Sequence, residues 1–151
     1  MRIGVLADTH GLLRPEVLAA LRGVDALLHA GDVGKAEILT QLATIAPVTA
    51  IRGNVDTSGP CSLLPETEVV EFGGLSLYML HDLHVLDLNP AAAGFAAVIC
   101  GHSHQPRIEY QRGVLVMNPG SAGPKRFTLP ISVGFLTIQD GQIEAELKML
   151  G

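Results

Sequence analysis

Tryptophan is absent and aromatic residues make up only 4% of the 151 residues, which excludes a core built on large rings. Valine, isoleucine, leucine and alanine must fill it instead, which favours buried strands and alanine-rich helices. Charged residues are scarce too, 17% against 48% hydrophobic, so much of the chain must be interior. Only two cysteines occur, Cys61 and Cys100, and neither stands in a CxxC pair. A disulfide framework or a thiolate zinc site is therefore not expected. Cys100, within the apolar run 96–100, reads as a small buried hydrophobe. Positive charge is in short supply, with 10 Lys and Arg against 15 Asp and Glu and a net charge of −5. That argues against a nucleic-acid surface, which needs clustered cations. No apolar run approaches the ~18 residues of a membrane span, and the chain enters a strand at once without a charged leader region. No membrane association is expected, and a cytoplasmic protein is the default. The length suits one domain, 1–151, with a core of its own.

The pattern along the chain has two halves. Residues 3–7 read as a strand, and Pro15 opens a helix over 15–22 with Val17, Leu18 and Leu21 on one face. A strand at 26–30, a helix at 36–45 that Pro47 stops and a strand at 48–51 complete a βαβαβ unit. Such a unit calls for a parallel sheet with right-handed crossovers. Residues 56–65 are expected as an exposed loop near the site mouth. Residues 68–72 and 75–80 flank Gly73-Gly74 as a hairpin. A short helix is expected within 87–94 and a buried strand at 98–100, followed by strand-like segments at 107–110, 113–117, 131–139 and 142–150. The second half is thus expected to be mostly antiparallel β, giving two packed sheets with flanking helices.

What the chain does have is a set of apolar runs that each end on a residue able to bind a metal. The runs end at Asp8 with His10, at Asp32, at Asn54, at His81, and at the pair His102 and His104. Taken alone, each of the first three is an ordinary turn and His81 an ordinary satisfied polar residue. Gly101-His102-Ser103-His104 is the strongest single element, since two imidazoles directly after a buried strand need a partner. Independent turns would not supply only nitrogen and oxygen donors at five successive strand ends. In open α/β sheets, ligands gather outside the carboxyl ends of the strands. Two carboxylates, one amide and four imidazoles are what two divalent ions would take while leaving room for water and substrate. A phosphate-loop reading of Gly34-Lys35 fails, because His29 stands where that motif needs Gly and Ala36 replaces its Ser or Thr.

Asp8-x-His10, Gly31-Asp32, Gly53-Asn54, His81 and Gly101-His102-x-His104 resemble, in order, the motifs of the calcineurin-like metallophosphoesterases. The short length and the stretch from Asn118 to Pro124 are similar to the small YfcE-type phosphodiesterases of bacteria and archaea. The resemblance implies an α/β fold, a four-layer α/β/β/α sandwich of two mixed sheets flanked by helices. It implies one ion held by Asp8, His10, Asp32 and His104, and a second held by Asp32, Asn54, His81 and His102, with Asp32 bridging. Asp32, Asn54 and His102 are carried over as catalytic residues. The implied cofactors are two divalent ions, Mn2+ first, with Ni2+, Fe2+, Zn2+, Co2+ and Mg2+ as alternatives that supply would select as much as affinity. The implied activity is hydrolysis of a small phosphodiester by a water whose pKa the ions lower from 15.7 towards about 7. A phosphomonoesterase or nucleotide phosphatase, and a non-catalytic scaffold of the same fold, are the alternatives. Ligand loss would mark the scaffold, and none of the seven ligands is missing. A homo-oligomer is left open.

Two departures stand out. Larger relatives carry a His directly after the Gly-Asn, where this chain has Val55; Asp56 follows, as in the small relatives. Asp82 follows His81 where those relatives usually have Gly, and reads either as a partner to an imidazole or as a loop acid. His29 is expected to be structural and His84 an exposed surface histidine. Lys125 and Arg126 are candidates to meet a phosphate, with a solvated charge as the other reading.

Overall fold

The computed structural model describes residues 1–150. Its strands are β1 (Arg2–Leu6), β2 (Ala26–His29), β3 (Val48–Ala50), β4 (Thr67–Phe72), β5 (Leu75–Leu80), β6 (Ala97–Ile99), β7 (Arg107–Gln111), β8 (Val114–Asn118), β9 (Ser132–Gln139) and β10 (Gln142–Met149). The helices are α1 (Pro15–Leu21) and α2 (Ala36–Ala43). Pro15 opens α1, where its missing N–H costs nothing.

Alternation along the strands decides the layers. Ile3, Val5 and Ala7 face Leu77, Met79, Ile99, Leu115 and Met117, so the two sheets are joined by an aliphatic core with no aromatic ring among its fully buried members. Leu6 and Leu27 point the other way, under Val17 and Leu21 of α1 and Ile38 and Leu42 of α2. The first sheet has the order β10-β9-β1-β2-β3, with β1, β2 and β3 parallel and β9 antiparallel to β1. The second has the order β4-β5-β6-β8-β7. Two mixed five-stranded sheets make the expected α/β sandwich.

The second half departs from the expectation in one respect. β5, β6 and β8 run parallel at the centre of their sheet, while the β4–β5, β7–β8 and β9–β10 pairs, like β1–β9, are antiparallel. The short apolar run of β6 is buried on both faces, which is the mark of a parallel strand and carries no sign of direction. The expected helix in 87–94 is a set of turns instead. Asn89 caps them by accepting from Ala92 N, and Gly94 at φ 83° ends them. A 3-10 turn at Leu83–Val85 and these turns cover the outer face of the second sheet, with Leu83, Leu86, Leu88 and Phe95 packed on Tyr78, Val98 and Val116.

Candidate metal centre

Every expected ligand follows a strand, and strands of both sheets contribute. Asp8 and His10 follow β1, Asp32 follows β2 and Asn54 follows β3; His81 follows β5, and His102 and His104 follow β6. Five of these seven, Asp8, His10, Asp32, His102 and His104, have φ between 47° and 73°. Non-glycine residues seldom adopt that region, and such backbone collects where surrounding structure imposes it for function. Here the imposing structure is visible. Asp8 N donates to Gly31 O, His10 N to Asp32 O and Gly101 N to His81 O, so each ligand turn is tied to another.

Two glycines make this convergence sterically possible. A Cβ on Gly53 would collide with Asp32 Oδ1, and one on Gly31 would lie 2.6 Å from His81 Nδ1. The Gly-Asp and Gly-Asn pairs are therefore required by packing as well as by turn formation.

The donor atoms form two groups, Asp8 with His10 and His104, and Asp32 with His81 and His102, each spanning less than 4.8 Å. Asp32 Oδ2 reaches towards both, lying 3.5 Å from His10 Nε2 and 3.2 Å from His81 Nε2, while its Oδ1 accepts from Val55 N. Asn54 Oδ1 is 3.1 Å from His102 Nδ1, which places the amide at the second group.

The donor set fits a divalent ion on a physical test. His81 Nδ1 lies 2.7 Å from Ala30 O, a carbonyl that can only accept, so the ring proton sits on Nδ1. In its neutral form His81 turns the Nε2 lone pair towards Asp32 Oδ2 and, at 3.7 Å, Asp8 Oδ1. Acceptors so placed need positive charge between them, which a second ring proton supplies in the metal-free site and a bound cation would supply in its place. Asp8 Oδ1 and His81 Nε2 are indeed buried without a hydrogen-bond partner among the described residues, as is His104 Nδ1. A histidine whose second nitrogen bonds a backbone carbonyl is the usual arrangement around a metal.

Electrostatics sort the two carboxylates. Burial pushes Asp8 up to about 7, against the pull of His81. Burial also acts on Asp32, but the His81 ring and the Val55 N–H outweigh it and hold that carboxyl below its ordinary value. For His81 burial is outweighed by Asp32 and the Ala30 carbonyl, and the ring is held above its usual value. His104 is lowered to about 4 by burial and by Arg126, so it keeps a free lone pair at neutral pH.

Sequence reasoning left several roles open, and the structure fills them. Asp56, expected in an exposed loop, is only 3% exposed. Its carboxylate accepts from Val33 N, Gly34 N and Gly53 N at 2.9–3.1 Å, stapling the loop after β2 to the loop after β3. Its only sequence signal was its place after Gly53-Asn54. Asp56→Ala would remove the shared acceptor of one buried and two partly buried donors and is expected to lower stability by about 2 kcal/mol or more, read as the urea midpoint. A midpoint unchanged from the parent would refute the staple.

His29 is structural, as expected. Gly31 N donates to its Nδ1, so its proton is on Nε2 and donates to Thr9 Oγ1, which in turn donates to Val33 O. Burial lowers His29 to about 4, keeping it neutral. This chain fixes Thr9, the residue between Asp8 and His10. Asn118 fixes the turn after β6 by donating to Gly101 O and Ser103 Oγ. Residues 118–123, in the stretch that resembles the small phosphodiesterases, are buried beside the ligand turns, and Pro124, Lys125 and Arg126 after them are exposed. Asp82 accepts from His84 N and is 3.9 Å from His102 Nε2, and His84 is exposed.

Comparison with known proteins agrees with this geometry. Residues 1–141 match the family model described as the calcineurin-like phosphoesterase superfamily domain. A probable metallophosphoesterase of Methanothermobacter thermautotrophicus is 38% identical over 162 aligned positions, covering 100% of this chain and 94% of that protein. Among solved structures, an archaeal phosphodiesterase superposes with a TM-score of 0.80 at 24% identity, covering 98% of this chain and all of that one. Vps29 of Chaetomium thermophilum gives a TM-score of 0.78 at 17% identity over 99% of this chain and 97% of its own. No described helix is long and apolar enough to cross a membrane. The chain belongs to the calcineurin-like phosphoesterase superfamily.

Proposed function

We propose that the chain is a two-metal phosphodiesterase. Asp8, His10, Asp32 and His104 would hold one divalent ion, and Asp32, Asn54, His81 and His102 the other. The observation that carries this reading is convergence: donors spread from position 8 to position 104 meet as two groups joined by a single oxygen, Asp32 Oδ2. Ions bound there would supply Lewis-acid charge for a phosphoryl group and acidify water at neutral pH. No nucleophilic side chain is needed. The phosphodiesterase named among the solved relatives supports the reaction class.

The protein's own part is orientation. Buried Asp8 and His81 are held by the backbone ties described above and the turn that carries buried His104 by Asn118, while Asn54 and His102 are the exposed members and would face a substrate. Asn54 offers an amide that can meet a phosphoryl oxygen. Val55, 43% exposed, brings no proton donor for the departing oxygen, so esters whose alcohol leaves readily suit the site best.

The test is to strip the protein with chelator and reload it with Mn2+, Ni2+, Fe2+, Zn2+, Co2+ or Mg2+ in turn. Elemental analysis should find two ions per chain, with Mn2+ expected to be the most activating. Bis(p-nitrophenyl) phosphate hydrolysis should vanish on stripping and return on reloading, and alkyl monoesters should react at least about tenfold more slowly, a difference of 1.4 kcal/mol in barrier. Undiminished activity in exhaustively stripped protein would refute the reading. A chain that binds the ions yet hydrolyses nothing would favour the second reading, a scaffold, to which the Vps29 likeness points.

A further inference from the structure

We infer that the cavity opening beside Asn54, His81 and His102 receives the alcohol part of the substrate, and that it selects an alcohol bearing an ammonium group over one bearing a further anion. The inference rests on the phosphodiesterase reading and names its substrate class. The cavity measures about 610 Å3, within the roughly 300–1,000 Å3 of small-molecule sites. It leads to the reacting centre, because His81, 93% buried with its Nε2 unpartnered, forms part of its wall.

Its charge is one-sided. Arg52 is the only cation on the wall among the described residues, and it is already engaged, with Nη2 2.7 Å from Glu66 Oε1 and Nη1 donating to Ser62 O. Asp82 and Asp87 remain. Asp82 is matched only by histidines, and Asp87 has no cationic partner among the described residues. Arg107, in the neighbouring cavity, is paired with Glu109, and the other cations near the centre lie by the Asp8, His10 and His104 group. Lys35 lays its stem over Gly11, and Arg126 acts on Asp8 and His104. A substrate lying across the centre thus meets positive charge at one end and carboxylates at the other. Exposed Val85 adds aliphatic surface for the alkyl groups of an ammonium, beside the edges of buried Tyr78 and Leu80. A carboxylate or second phosphate on the alcohol would instead meet Asp82 and Asp87.

The experiment uses metal-loaded protein and three p-nitrophenyl phosphodiesters that differ only in the other alcohol: choline, its neutral isostere 3,3-dimethylbutanol, and glycolate. The choline ester is expected to exceed the neutral one in kcat/KM by about tenfold, the scale of two partly exposed charge contacts, with the glycolate ester slowest. The choline-to-neutral ratio should shrink in Asp87→Asn and at high ionic strength; taken within one protein, it cancels any change in the chemical step. A ratio near one, or one untouched by Asp87→Asn, overturns the inference. Calorimetric Kd values for phosphocholine and 3,3-dimethylbutyl phosphate report the same preference without turnover. If no ester reacts with any metal, the phosphodiesterase reading falls, and the Kd ratio still decides whether the cavity selects an ammonium group.

Discussion

Asp32→Asn is expected to lower kcat/KM for bis(p-nitrophenyl) phosphate at least about a thousandfold, or about 4 kcal/mol of barrier, while the fold survives. The amide keeps the shape of the carboxylate, and its oxygen can still accept from Val55 N as Asp32 Oδ1 does. What changes is the other position, where an NH2 group would replace the oxygen that lies within 3.5 Å of both His10 Nε2 and His81 Nε2. A donor there cannot ligate, and one negative charge is gone from between the proposed ions. The size matches the several kcal/mol of charge stabilisation that metal ions give such reactions. Circular dichroism should be unchanged, and bound metal should fall below two ions per chain. Parental turnover in this variant would mean that the two groups do not act as one centre.

Asp8→Asn should show the opposite of a damaged protein in chelator: it should be more stable than the parent. Burial raises the Asp8 carboxyl from 3.8 to about 7, so between those values the metal-free native state binds a proton more tightly than the unfolded chain does. Stability from this group is full below pH 3.8 and is lost as pH rises through about 7. Asn carries no such charge. Its advantage should therefore be near zero at pH 4 and grow to a ceiling of about 4 kcal/mol by pH 8, read as urea midpoints across the range. With Mn2+ the order should reverse, because only the parent gains stability from the bound ion. A parent more stable than the variant in chelator at pH 8 would remove the case for Asp8 as a carboxylate kept for a cation.

Much of this architecture was legible in the residues, for identifiable reasons. The βαβαβ start carried period and punctuation together, with Pro15 and Pro47 marking one helix start and one helix end. The hairpin of β4 and β5 was announced by Gly73-Gly74. Strand direction in the second sheet was not legible, because three apolar residues such as those of β6 read the same either way. The turns after Asn89 imitate a helix start in composition, and only the competing Asn89 side chain and Gly94 reveal the difference. The seven expected ligands could be named because metal-binding side chains are few in kind and stood at strand ends. Their supports could not. Besides short-range bonds from Gly53 N to Asp56 and Gly31 N to His29, Asp56, Thr9, His29 and Asn118 act through hydrogen bonds to residues between 15 and 24 positions away, and nothing in local spacing encodes those distant partners.

The proposed ligands are divided between two sheets whose buried interface is aliphatic. Asp8, His10, Asp32 and Asn54 belong to one, and His81, His102 and His104 to the other. Each ion would therefore act as a rivet through both plates of the sandwich. Losing metal and letting the open end of the plates part would be one event, and slow amide exchange in β5 and β6 on metal addition would record it.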